Sequence, residues 1–117
     1  NVPESLMQNY WAVVAQIQMP YMIHFLPLDA RSILGNVTCP VLALNGSKDN
    51  QIDYESNLNA IRNGLPTNSK NCIETIDGVN HLFQHCTTGD TSEYRDIEET
   101  FAPEVLERII HWVSELN

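Results

Sequence analysis

Apolar residues first mark a helix near the start of the chain. Leu6, Tyr10, Val13, Val14 and Ile17 recur at the three- and four-residue spacing of one helical face within residues 4–18, with Trp11 adjoining it. Pro20 predicts its stop. Tyr21 to Leu28 is apolar with Pro27 inside, and reads as a short helical turn followed by a loop. Asp29 can cap a short helix running to Leu34, and Gly35 suits its C-terminal end.

The pattern then changes period. Pro40-Val41-Leu42-Ala43-Leu44-Asn45-Gly46 is a continuous apolar run bounded by turn residues, the signature of a strand buried on both faces of a parallel sheet. Gly46-Ser47-Lys48-Asp49 forms the loop after it. Asp53 can cap the next helix, where Leu58 and Ile61 give an apolar stripe; Gly64 and then Pro66 end it. After a polar loop from Thr67 to Asn71, Cys72-Ile73-Glu74-Thr75-Ile76-Asp77 reads as a second strand, left by Gly78-Val79-Asn80-His81. A long polar loop follows to about Thr100. Pro103 opens the last helix at its first position. Val105, Leu106, Ile109, Ile110, Trp112, Val113 and Leu116 make that helix broadly apolar, so it is expected to pack firmly.

Strand, helix, strand in that order predicts an α/β fold with a parallel pair joined by a right-handed crossover. Functional groups in such sheets lie beyond the carboxyl ends of the strands. Both strands deliver a polar residue there: Asp49 after the first, His81 after the second.

Composition narrows the partners. The chain has 117 residues, 43% hydrophobic and 18% charged, as in an ordinary globular domain. Its formal net charge of -9 disfavours nucleic acid and anionic membranes, which need a basic surface. Much of the excess lies in Asp90, Glu93, Asp96, Glu98, Glu99, Glu104 and Glu107, read as a solvated acidic loop and helix start. No calcium-loop spacing of the EF-hand kind accompanies it. Cys39, Cys72 and Cys86 are odd in number, form no C-x-x-C, and leave the compartment open. Cys39 and Cys72 read as small buried apolar residues. Neither a signal-peptide pattern nor an apolar run of membrane-spanning length is present in these residues.

An Asp–His pair at adjacent strand ends has a defined chemistry. The carboxylate fixes the imidazole tautomer and stabilises the imidazolium formed when the other ring nitrogen takes a proton from a nucleophile. Here the acid precedes the histidine by 32 residues. Cys39-Pro40-Val41-Leu42-Ala43-Leu44-Asn45-Gly46-Ser47-Lys48-Asp49 resembles the P-V-L-x-x-x-G-x-x-D acid loop of the α/β-hydrolases. Gly78-Val79-Asn80-His81 resembles their G-x-x-H loop. Phe25-Leu26 with Asp29, Asn57-Leu58 with Ala60-Ile61, His81-Leu82-Phe83-Gln84, Ile97-Glu98-Glu99-Thr100 and Pro103-Glu104-Val105-Leu106 resemble the serine aminopeptidase-like or esterase-like members. The likeness spans roughly residues 20–113.

The resemblance implies the C-terminal portion of such a hydrolase: residues 1–28 as part of a helical cap, 29–117 as the end of the core. It implies Asp49 and His81 as catalytic acid and base, and an ester, small amide or peptide as substrate. No cofactor or metal is implied. The chain departs from the family in having no G-x-S-x-G elbow. None of Ser5, Ser32, Ser47, Ser56, Ser69, Ser92 and Ser114 occupies such a turn, and the oxyanion donors that accompany the elbow are absent with it. The chain alone is therefore expected to be inactive, and a non-catalytic assembly or binding module is the alternative. Self-association is expected, through an open sheet edge or exchanged helices. Asp53 and Asp77 remain fallback acids. His81 and His85, four apart with Cys86 adjacent, could face a metal if they lay on a helix, but no further ligands cluster with them. His24 and His111 read as surface or packing residues, and Trp11 and Trp112 as core.

Overall fold

The computed structural model describes residues 3–116. The chain divides into two compact units between Ala30 and Arg31. In the first, α1 (Glu4–Ile17) and α2 (Pro20–Phe25) are helical. Pro20 both separates them and starts the second, because at a first helical position its missing N–H leaves no bond unmade. Neither helix contains a buried residue. Their aromatic rings pair locally instead: Tyr10 with Trp11 edge-on at 5.2 Å, and Tyr21 stacked on Phe25 at 5.5 Å. Trp11 is 60% exposed, so the expectation of a core tryptophan fails: helical spacing defines a face, but burial needs a partner surface.

The second unit is mixed α/β. It runs through α3 (Arg31–Leu34), β1 (Leu42–Gly46), α4 (Tyr54–Gly64), β2 (Cys72–Ile76), a 3₁₀ turn (Thr91–Asp96) and α5 (Pro103–Ser114). The strands pair in parallel, with Leu42 opposite Cys72 and Gly46 opposite Ile76. Alternation of side chains distributes the helices. Leu44 and Ile76 pack against the cluster formed by Val79, Ala102 and Val105, while Glu74 meets Arg108, so this face carries α5. Asn45 points to the other face and meets Asn57 of α4. The two helices thus flank a two-stranded sheet. Asp53 caps α4 by accepting a hydrogen bond from Ser56 N–H at 2.8 Å, as its position predicts.

Three expectations change in this unit. β1 is half-buried from Leu42 to Leu44 and fully buried only at Asn45 and Gly46, because two strands offer the helices little surface to cover. One stripe of α5 packs, through Val105, Arg108 and Ile109, whereas Leu106, Ile110 and Val113 remain exposed. Cys39 is exposed, since it lies in a bend before the strand begins; Cys72 is half-buried. Among the described residues, no helix is long and apolar enough to cross a membrane.

The strand ends are held close by Gly46. A Cβ there would collide with the carbonyl oxygens of Val79 and Asn80. Gly46→Ala is therefore expected to destabilise the chain by about 2 kcal/mol, the scale of an overpacked core. Urea unfolding measures it. Gly35→Ala, where an added Cβ meets nothing within 4 Å, should stay within roughly 0.5 kcal/mol of the parent.

Candidate active site

The loop after β1 is built around one carboxylate. Ser47 and Lys48 continue the strand's direction by donating their N–H groups to Ile76 O and Val79 O, at 2.9 and 3.0 Å. Asp49 N–H then returns to Gly46 O at 3.2 Å, closing the turn. Asp49 Oδ1 accepts from Gln51 N–H and Ile52 N–H, both at 2.9 Å. Its Oδ2 accepts from Asn45 Nδ2 at 3.0 Å and from His81 Nδ1 at 2.9 Å. Four donors from three segments fix the carboxylate, whose side chain is 5% exposed. Burial pushes the Asp49 pKa up. The His81 hydrogen bond, the Ile52 and Gln51 N–H groups and the His81 charge outweigh it, holding the carboxyl below its ordinary 3.8.

The loop after β2 presents the histidine. Gly78 takes φ of 76°, a left-handed conformation suited to glycine. Its N–H donates to Ser47 Oγ at 2.8 Å, and that hydroxyl donates to Asp77 Oδ1 at 2.8 Å. Ser47 thus ties the two loops together. Both fallback acids are engaged elsewhere, Asp77 here and Asp53 at its helix cap.

Asn80 shapes the next turn from inside. It is 1% exposed, and its Oδ1 accepts from Leu82 N–H and Gln84 N–H at 2.9 and 3.0 Å. Gln84 in turn donates through Nε2 to Glu99 O at 2.8 Å. Phe83 adopts φ of 57° within this turn, a conformation costing a non-glycine residue about 1–2 kcal/mol. Its ring packs on Phe101 at 5.4 Å, and its carbonyl accepts from Ala102 N–H at 2.8 Å, which offsets that cost. Residues 81–85 form a turn, so His81 and His85 share no helical face.

His85 lies instead between two carboxylates. Its Nδ1 is 3.0 Å from Glu99 Oε2 and its Nε2 2.7 Å from Glu104 Oε1. The Glu99 hydrogen bond, with the charges of Glu104 and Glu99, raises its pKa above 6.5 against a smaller desolvation effect. Glu93 accepts from Thr88 N–H and Gly89 N–H. The acidic stretch is therefore only partly the solvated surface its composition suggests: Glu93, Glu99 and Glu104 hold backbone and imidazole in place. Lys48 Nζ donates to Cys86 O and Thr87 O, at 2.9 and 3.1 Å, tying the acid loop to the same region.

His24 and His111 are exposed. Trp112 is half-buried and donates from Nε1 to Lys70 O. A cleft of about 370 Å³, lined by Lys70, Cys72, Arg108 and Trp112 among others, adjoins the start of β2, opposite the end that carries Asp49 and His81. Among the described residues, no group of three His, Cys, Asp or Glu side chains could hold a metal ion.

The geometry sets the tautomer of the neutral imidazole. An ionised carboxylate only accepts, so Nδ1 is the protonated nitrogen and Nε2 keeps the lone pair of the neutral ring. No hydrogen bond to Nε2 occurs among the described residues, and the side chain is 38% exposed. Such a nitrogen can take a proton from an incoming group while the carboxylate stabilises the resulting cation. Set against known families, curated proteins and solved structures, the chain matches none.

The structure brings Asp49 and His81 together. It also adds Asn45, Asn57, Asn80 and Gln84, whose supporting roles sequence reasoning missed. One signal was available: Asn45 is the polar residue of an apolar strand, and a buried amide requires partners.

Asp49→Asn should destabilise the chain by about 2 kcal/mol at pH 7, because a carboxamide NH₂ would then face the donors of Asn45 and His81. The sign follows from the lowered carboxyl pKa. Its stabilisation is complete above 3.8 and is lost as the pH falls through the lower value of the folded state. Urea titrations between pH 7 and pH 2 should show parent and variant converging; a constant gap would contradict the assignment.

Proposed function

We propose that this chain supplies the acid and the general base of a serine-hydrolase triad, with the nucleophilic serine carried outside these 117 residues. The single observation that supports it most is the Asp49 carboxylate, saturated by four donors, holding Nδ1 of His81 while Nε2 stays available. On this reading the second unit is the end of an α/β-hydrolase core and the first belongs to its cap.

His81 Nε2 takes the serine proton as the hydroxyl attacks an acyl carbonyl, then returns it to the leaving alkoxide or amine. Asp49 stays ionised throughout. A carboxylic ester, small amide or peptide is the substrate class, and the mechanism needs no cofactor. The missing G-x-S-x-G favours a second reading, a non-catalytic assembly or binding module on the same scaffold.

Activity and phosphonate labelling of the protein as encoded separate the two. Under the hydrolase reading, a fluorophosphonate labels a serine in the unaltered protein. His81→Ala abolishes labelling, and Asp49→Asn lowers kcat on the order of 10⁴-fold. Unchanged turnover in His81→Ala would sink the reading.

Self-association belongs to the same proposal. β1 and β2 pair only with each other among the described residues, leaving an open edge on each. Leu106, Ile110 and Val113 add an exposed apolar stripe on α5, with Ile110 67% exposed. Sedimentation should show association rising with concentration and weakened by Ile110→Glu. A single monomeric species up to millimolar concentration would contradict it.

A further inference from the structure

Asp49 receives one of its four hydrogen bonds from a side chain that is itself held by another. Asn45 is 5% exposed, so water cannot readily replace its partners. Its Nδ2 donates to Asp49 Oδ2 at 3.0 Å, and its Oδ1 accepts from Asn57 Nδ2 at 3.0 Å. The polarity of this chain has only one sense. The carboxylate can only accept, so Asn45 must turn its NH₂ toward it. That leaves the Asn45 carbonyl facing α4, where only a donor satisfies it. A flipped Asn45 would set a carbonyl against a carboxylate and one NH₂ against another. Asn57 stands on a helix fixed by the Asp53 cap and by Leu58, which is 4% exposed.

We infer that Asn57 and Asn45 form a two-amide relay that positions Asp49 for His81, so that a residue on α4 sets the orientation of the acid. The two asparagines are positioning residues; neither is hydrogen-bonded to the imidazole. Their role in catalysis rests on the hydrolase reading, whereas the relay itself is a property of this chain. His81 is the titratable group hydrogen-bonded to Asp49, and the neighbouring Lys48 turns its ammonium to the carbonyls of Cys86 and Thr87. A change at Asn57 therefore reaches Asp49 through Asn45.

The relay is tested by nuclear magnetic resonance on the isotope-labelled 117-residue chain. In the unaltered chain, the Asn45 side-chain amide signals should follow the titration of the Asp49 carboxyl. Asn57→Asp replaces a donor with an acceptor of the same shape and should turn the Asn45 NH₂ toward α4. The amide signals should then stop following Asp49, and the Asp49 pKa should rise by about one unit, a tenfold change in proton affinity. Asn57→Leu, which removes the donor without adding charge, should move the pKa in the same direction. Asn59→Asp adds the same charge at an exposed position of α4 and should leave Asp49 unmoved.

Equal Asp49 pKa values in the Asn57→Asp and Asn59→Asp chains would overturn the relay. So would Asn45 amide signals indifferent to Asp49 in the unaltered chain, a measurement that decides the matter even if both Asn57 variants fail to fold. Neither outcome depends on turnover or phosphonate labelling, so failure of the relay and failure of the hydrolase reading are told apart.

Discussion

A carboxylate removed from water must be given back its hydrogen bonds, and the second unit meets that requirement at Asp49. Oδ1 is satisfied by the backbone of its own loop; Oδ2 is satisfied by a strand amide and an imidazole. Each partner enforces a different part of the fold. The Gln51 and Ile52 N–H groups dictate how the chain leaves the acid. Asn45 couples the acid to α4, and His81 couples it to the loop after β2. Parallel pairing of β1 and β2 makes this possible, because it places both strand exits at the same end of the sheet.

The loops are consequently as densely hydrogen-bonded as regular structure. Backbone groups that lack a sheet partner find side chains: Gly78 N–H finds Ser47, Leu82 and Gln84 N–H find Asn80, and Thr88 and Gly89 N–H find Glu93. Close approach does the remaining work at Gly46 and at Gly89, where a Cβ would strike the Lys48 carbonyl. The left-handed Phe83 is sustained by the same arrangement, its carbonyl and ring both committed to the start of α5. A small apolar cluster of Val79, Ala102 and Val105 therefore suffices beneath the site, since polar connections carry much of the local order.

Much of this architecture was legible beforehand, for reasons specific to each element. Asp53 ahead of an apolar stripe and Pro103 at a first turn mark helix starts through local chemistry alone, the first by accepting a backbone N–H and the second by its fixed φ and missing donor. The runs 40–46 and 72–77 read as strands because short segments of this kind between turn residues have few alternatives, and the strands form over 42–46 and 72–76. Burial was less legible. Trp11 and Ile110 lie on convincing apolar faces yet remain exposed, because periodicity reports a face and not what covers it. The acidic stretch misled in the other direction, since charge composition does not show that Glu93 and Glu99 have backbone donors within reach.

By itself, then, the sequence determined the order of elements and the parallel strand–helix–strand unit, which follow from local periodicity and turn chemistry, and it offered Asp49 and His81 as a pair through their places at the strand ends and the family resemblance of their loops. Tertiary structure decided which atoms meet. It brought Nδ1 of His81 to Asp49 at 2.9 Å, and placed Asn45 and Asn57 behind the acid. It also diverted His85 to Glu99 and Glu104. The reason is physical: a hydrogen bond requires placement within a few tenths of an ångström, and contacts between residues 12 to 40 positions apart arise only when packed elements set that placement.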